Sequence, residues 1–79
     1  MRYEVYAIYD NKAETYTIPF FIQNQPMAIR SFKDLVNTEG NQFNKNADDY
    51  ALYQLGEYED ASGEFHTEGT HVTNGEDML

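Results

Sequence analysis

Tyr3, Val5, Ala7 and Tyr9 alternate with Arg2, Glu4, Tyr6 and Ile8, a period of two in a stretch rich in β-formers. The pattern predicts a strand over residues 2–9 whose second face is only half polar. Asp10-Asn11-Lys12-Ala13-Glu14 supplies turn residues, and beyond it Tyr16, Ile18, Phe20 and Ile22 alternate with Thr17, Pro19 and Phe21. The two runs read as a β-hairpin. Because Pro19 has no N–H to give to a ladder, the second strand is expected at a sheet edge, or with a bulge at Pro19.

After Ile22 the period changes. Asn24-Gln25-Pro26 has the features of a helix start, with Asn or Gln at the cap and Pro near the first turn. Ala28, Ile29, Phe32, Leu35 and Val36 then recur at spacings of three and four, placing them on one face of a helix that runs to about Asn37. Arg30, Lys33 and Asp34 fall on the opposite face, and Gly40 lies close behind as a stop. Residues 38–48 are polar and loop-like, with Phe43 as their one apolar anchor.

Tyr50 to Tyr58 reads as a third strand, with Ala51, Tyr53 and Leu55 on one face, Tyr50, Leu52 and Gln54 on the other, and a bulge at Gly56. Asp60-Ala61-Ser62-Gly63 is a turn, and Glu64-Phe65-His66-Thr67 leaves room for a short fourth strand. From Gly69 onward disorder is expected. The order β-β-α-β predicts a small two-layer α+β domain, residues 1–65, in which one helix covers one face of a mainly antiparallel three-stranded sheet. Residues 66–79 are then a flexible acidic tail. Pro19 at an edge and a crossover past the first strand favour the spatial order second, first, third.

Charge sharpens this division. The 79 residues hold 14 acids, 5 bases and no cysteine, for a formal net charge of -9. All five bases (Arg2, Lys12, Arg30, Lys33, Lys45) lie in residues 1–45 beside five acids, so that part is neutral, whereas residues 46–79 carry nine acids and no base. Such one-sidedness reads as a solvated tail on a neutral fold. Without cysteine there is no disulfide, thiolate metal site or cysteine nucleophile. Neither a signal peptide nor an apolar run of ~18 residues is present, and a soluble intracellular protein is expected. A chain this short buries only ~60% of its unfolded surface, which favours dimerisation.

Four blocks carry a family resemblance: Tyr6-Ala7-Ile8-Tyr9-Asp10; Pro19-Phe20-Phe21; Ala28-Ile29-Arg30-Ser31-Phe32 with Asp34-Leu35-Val36-Asn37; and Asp48-Asp49-Tyr50-Ala51-Leu52-Tyr53-Gln54-Leu55-Gly56 followed by Asp60-Ala61-Ser62-Gly63. In this order and spacing, over about residues 3–65, the chain resembles the small nonstructural protein of gokushovirus-type Microviridae, single-stranded DNA phages. It departs from that pattern at Asn46-Ala47, where the family often has His-Pro, and residues 66–79 have no counterpart in it. The resemblance implies a nonstructural or DNA-binding protein of the host bacterial cytoplasm. By gene position the family is likened to the microvirus factor that turns duplex replication toward single-strand synthesis and packaging. The implied partners are the viral replication initiator, a host replication protein or single-stranded DNA.

The residues themselves point to binding and away from catalysis. General acid–base or nucleophilic chemistry needs a base held against a nucleophile in a pocket, and His66 and His71 both fall in the expected tail. Those histidines, with Glu64 and Glu68 nearby, are suitable transition-metal ligands but read as incidental to a solvated tail. No calcium-loop spacing occurs, and the five glycines never cluster into a phosphate cradle. No enzyme, cofactor or metal is expected. Single-stranded DNA binding would fall to Arg30, Lys33 and Lys45 gathered on one side, with Tyr6 and Tyr53 stacking on bases, against the repulsion of the net charge. Core or dimer packing is the alternative for the tyrosines. One helix cannot cover both aromatic sheet faces, so the uncovered face is expected to bind, most simply to a second copy. The acidic end offers a further reading, a DNA mimic or assembly regulator that binds a basic viral or host protein.

Overall fold

The computed structural model describes residues 1–79. Nine residues of alternating pattern, Arg2–Asp10, form β1, the strand on which everything else is arranged. On one side of β1 lie two short strands, β2 (Thr15–Tyr16) and β3 (Phe20–Ile22), both antiparallel to it. On its other side runs β4 (Tyr50–Glu59), and outside β4 lies β5 (Glu64–Asn74), again antiparallel. The order across the sheet is therefore β2/β3, β1, β4, β5.

The expected hairpin and its edge position are both present, but its second strand is broken at Thr17-Ile18-Pro19. Thr17 bridges the gap, its N–H donating to the Ile8 carbonyl (2.8 Å) and its hydroxyl accepting from the Ile8 N–H (3.0 Å). A side-chain oxygen thus stands in for the ladder acceptor beside the proline. The preceding turn is held by Asp10, whose carboxylate accepts from the N–H groups of Lys12 (2.9 Å) and Ala13 (3.2 Å).

Helix α1 spans Gln25–Val36, with Asn24 as N-cap accepting from the Met27 N–H at 3.0 Å. The polar stretch behind it is ordered. Asn41 caps a short helix α2 (Gln42–Lys45), and its amide donates to the Leu35 carbonyl (3.0 Å), while the Asn44 amide donates to the Val36 carbonyl (2.8 Å). These asparagines satisfy carbonyls that the end of α1 leaves without helical partners. A 3-10 turn, Ala47–Asp49, then delivers the chain to β4.

Tyr6 and Ile8 of β1, Tyr50 and Leu52 of β4, and Ala28, Phe32 and Val36 of α1 close the core together with Ala47. Tyr6, Phe32, Leu52 and Val36 are its largest fully buried side chains. Burial of several such groups at about 1.5–3 kcal/mol each is the main force holding helix to sheet.

The expected flexible tail, residues 66–79, is not a tail. It is most of β5 followed by a second 3-10 turn, Gly75–Met78. Val72 and Met78 pack against the core, and the Asn37 amide donates to the Met78 carbonyl at 2.9 Å. Strand pairing is backbone chemistry that needs no apolar side chains, which is how so acidic a run is ordered. The sheet is accordingly larger than the expected three strands with room for a short fourth, and a boundary at residue 65 would fall one residue after β5 begins.

Candidate functional site

Register decides which side chains share the face that α1 leaves bare. Tyr3, Val5, Ala7 and Tyr9 of β1 point away from the helix, because Tyr6 and Ile8 point toward it. Across from them stand Tyr16 (on Tyr9), Phe21 (on Val5), Tyr53 (on Ala7) and Tyr58 (on Tyr3). On β5, Phe65 lies opposite Tyr58 and His71 opposite Tyr53.

The result is two aromatic rows, one near each end of the open face. In the first, Tyr9 and Tyr16 have ring centroids 4.7 Å apart, Tyr53 stands 5.8 and 5.7 Å from them, and His71 is 5.3 Å from Tyr53. In the second, Phe65 lies 4.7 Å from Tyr58 and 6.1 Å from Phe21, with Phe21 5.7 Å from Tyr58. Tyr3 joins this second group in lining a shallow depression of about 340 Å³. Such tilted and edge-on contacts stabilise the rows, yet Phe65, Phe21 and Tyr16 remain 57, 49 and 46% exposed. Between the rows lie Val5 and Ala7 of β1 and Gly56 of β4.

The bulge at Gly56 separates the rows. One step on β1, from Val5 to Tyr6, spans two on β4, from Gly56 to Gln54, so Tyr58 and Tyr53 both face the open side although five residues apart. In a regular strand a separation of five would put them on opposite faces, and one of the two rows would turn into the helix layer.

The residues proposed for nucleic-acid binding are not brought together. Tyr6 is fully buried under α1, its hydroxyl donating to Glu4 at 2.7 Å, and has no ring face to offer a base. Burial first, and the Glu4 contact second, push its hydroxyl far above the usual tyrosine range. Arg30 and Lys33 are exposed on α1 and Lys45 is exposed on α2, in the helix layer, whereas Tyr53 sits on the opposite face of the sheet. The histidines also diverge. His66 lies opposite Glu57 on the helix side of β5, and His71 lies on the open face, its ring 2.8 Å from the Asn74 side-chain oxygen. No group of three or more His, Asp or Glu side chains is placed to hold a metal ion.

Charge collects at the end of the sheet beyond the helix. Arg2 pairs with Glu57 at 3.3 Å, and the Met1 ammonium pairs with the carboxylates of Glu59 and Asp60. That ammonium, with the Ala61 N–H, holds the Glu59 carboxyl below its usual range. Glu64 and Glu68 on β5 have no Lys or Arg within 4.0 Å.

The family described as Phage ORF5 protein matches residues 3–78. The chain belongs to that family. No curated protein and no solved structure matches it. The ORF5 match runs through β5 and into the closing turn, so the acidic end is part of what the family model recognises. This phage protein has no helix long and apolar enough to cross a membrane.

Sequence reasoning expects one aromatic face to be left open without saying which, singles out Tyr53, which lies on it, beside the buried Tyr6, and leaves out Phe21, Phe65 and His71 as binding residues. The available signal was the pairing of Phe65 with Tyr58 across the Asp60-Ala61-Ser62-Gly63 turn, which follows directly once that turn is taken as a hairpin.

Proposed function

We propose that this ORF5-family chain is a non-enzymatic accessory protein of a gokushovirus-type phage of the Microviridae, acting by binding in viral single-stranded DNA synthesis or its coupling to packaging. One observation carries the binding role: a sheet face with seven aromatic side chains is left without a covering layer. Faces of that kind are uncommon on monomers and are normally covered by a partner. The four-block resemblance supports the phage type. In this reading two copies pair through the open face, and the dimer engages the viral replication initiator or a host replication protein in the host cytoplasm.

Sedimentation tests the pairing. Wild type is expected as a dimer at micromolar concentration, and Tyr16→Glu with Phe65→Glu, both at exposed ring positions, as a folded monomer. A monomeric wild type would remove the dimer from the proposal. In infected cells the monomeric variant is expected to lower the yield of single-stranded viral DNA while duplex forms persist. Retention on single-stranded DNA at low salt, weakened by Arg30→Glu with Lys33→Glu, would instead make the nucleic acid itself the partner.

A further inference from the structure

The two edges of the sheet differ. One is cut into β2 and β3, two and three residues long, with Pro19 between them. The other is β5, eleven residues paired on one side only and exposed from Glu64 through His71. The only hydrogen bond outside its pairing with β4 that any backbone N–H of β5 makes is a long one from Glu64 to the Ser62 hydroxyl, at 3.4 Å. A long strand with a free outer row of N–H and C=O groups is a template for another strand unless it is blunted. Lysine and proline, the usual blunting residues, are both absent from β5.

Charge selects the occupant. Glu64 and Glu68 lie on this edge with no Lys or Arg near them, since Arg2 and the Met1 ammonium are engaged by Glu57, Glu59 and Asp60. No base occurs anywhere from residue 46 to residue 79. A second copy pairing edge to edge would set its own Glu64 and Glu68 here and no Lys or Arg, whereas a cationic strand would neutralise them. The two faces of β5 also differ. Phe65, Thr67 and His71 lie on the aromatic side and Glu64 and His66 on the other, where alternation from Thr67 also places Glu68.

We propose that β5 is a docking edge for an extended basic segment of another protein, which adds to the sheet as a further strand with apolar residues toward Phe65 and lysine or arginine toward Glu64 and Glu68. Backbone pairing supplies the affinity and the alternation supplies the selectivity. This deepens the binding role proposed above by naming a partner chemistry, and of the dimer face it uses only Phe65, at the β5 margin.

The probe is a synthetic eight-residue peptide of alternating lysine and valine, titrated into the full-length protein and followed by fluorescence anisotropy and amide hydrogen exchange. Added protection is expected at alternate amides of β5. N-methylation of alternate peptide amides keeps every charge but removes ladder donors, and is expected to weaken binding at least tenfold. Glu64→Gln with Glu68→Gln is expected to weaken it severalfold and flatten its salt dependence, without altering the far-ultraviolet spectrum. Equal binding of the N-methylated peptide would overturn the proposal, because charge alone would then explain the contact. Protection confined to the face of Tyr9 and Tyr53, or β5 amides already protected on their outer side by a second copy, would overturn it too. Tyr16→Glu with Phe21→Glu, both exposed on the open face and neither on β5, separates the two readings: peptide binding that survives in this variant supports the edge whatever becomes of the dimer.

Discussion

A side-chain carbon on Gly56 would lie 1.9 Å from the backbone carbonyl oxygen of His66. The glycine sits where β4 bulges between its two neighbours, with φ +150°, a conformation in which L side chains are strained. Two separate demands, backbone conformation and the approach of β5, therefore converge on one position.

Gly56→Ala is accordingly expected to cost about 3 kcal/mol or more, a large share of the stability of a domain this small. Gly63→Ala is the control. Its φ is +75°, yet nothing lies within 4 Å of an added carbon, so only the left-handed penalty of about 1 kcal/mol applies. Urea unfolding of the two variants checks the difference, and equal midpoints would mean that β5 does not press on Gly56.

Tyr6 makes a prediction at alkaline pH. Burial and the Glu4 contact raise its folded ionisation above the unfolded value of about 10, and burial together with the charges of Asp10 and Asp49 does the same to Tyr50. A raised value means that the stabilisation is complete below about pH 10 and is lost as pH climbs toward the folded value. Tyr6→Phe removes the hydroxyl bond to Glu4, so near neutral pH it is expected to be less stable by about 1 kcal/mol. Above about pH 10 the gap should close, because the variant has one fewer buried phenol to ionise. Thermal melts over that range check this; parallel curves would show that Tyr6 ionises no differently in the folded state.

Much of the fold was legible because its signals are local. The alternation of Tyr3 to Tyr9, the Asn24 cap and the three-and-four spacing from Ala28 to Val36 each specify an element without reference to the rest of the chain. β5 was legible only as room for a short strand over Glu64–Thr67, and the rest of it was not, for a physical reason. Its residues from Glu64 to His71 are exposed, so the strand exists through its pairing with β4 and not through a buried face that periodicity could reveal. The candidate site was half legible. Alternation separated Tyr6 from its neighbours Val5 and Ala7, but nothing local says which face the helix will cover, and Tyr6 therefore stood beside Tyr53 as a binding residue although it belongs to the core.

The two ends of α1 should respond to loss of an asparagine for different reasons. Asn24→Ala removes the acceptor for the Met27 N–H, and is expected to cost about 1 kcal/mol because water can replace the cap at this exposed site. Asn44→Ala leaves the Val36 carbonyl without its side-chain donor in a partly buried place, for which about 1–2 kcal/mol is expected. Urea titration of the two single variants checks the ranking, and a neutral Asn44→Ala would indicate that the stretch after α1 does not brace the helix.

The status of residues 66–79 is open to the most direct test. Removing them takes away most of β5, strips Val72 and Met78 from the core and breaks the bond from Asn37 to the Met78 carbonyl. It also exposes the outer edge of β4, so the shortened chain is expected to lose cooperative unfolding and to aggregate. Loss of function in such a truncation would therefore say nothing about an acidic tail as a mimic of DNA. Val72→Ala is the gentler probe, and the methyl groups it removes are worth about 1–2 kcal/mol at a partly buried site. Amide exchange on the intact protein completes the test, because the β5 amides paired with β4 should exchange slowly. Free exchange from residue 66 onward, with an unchanged urea midpoint in the truncated chain, would return this segment to the status of a tail.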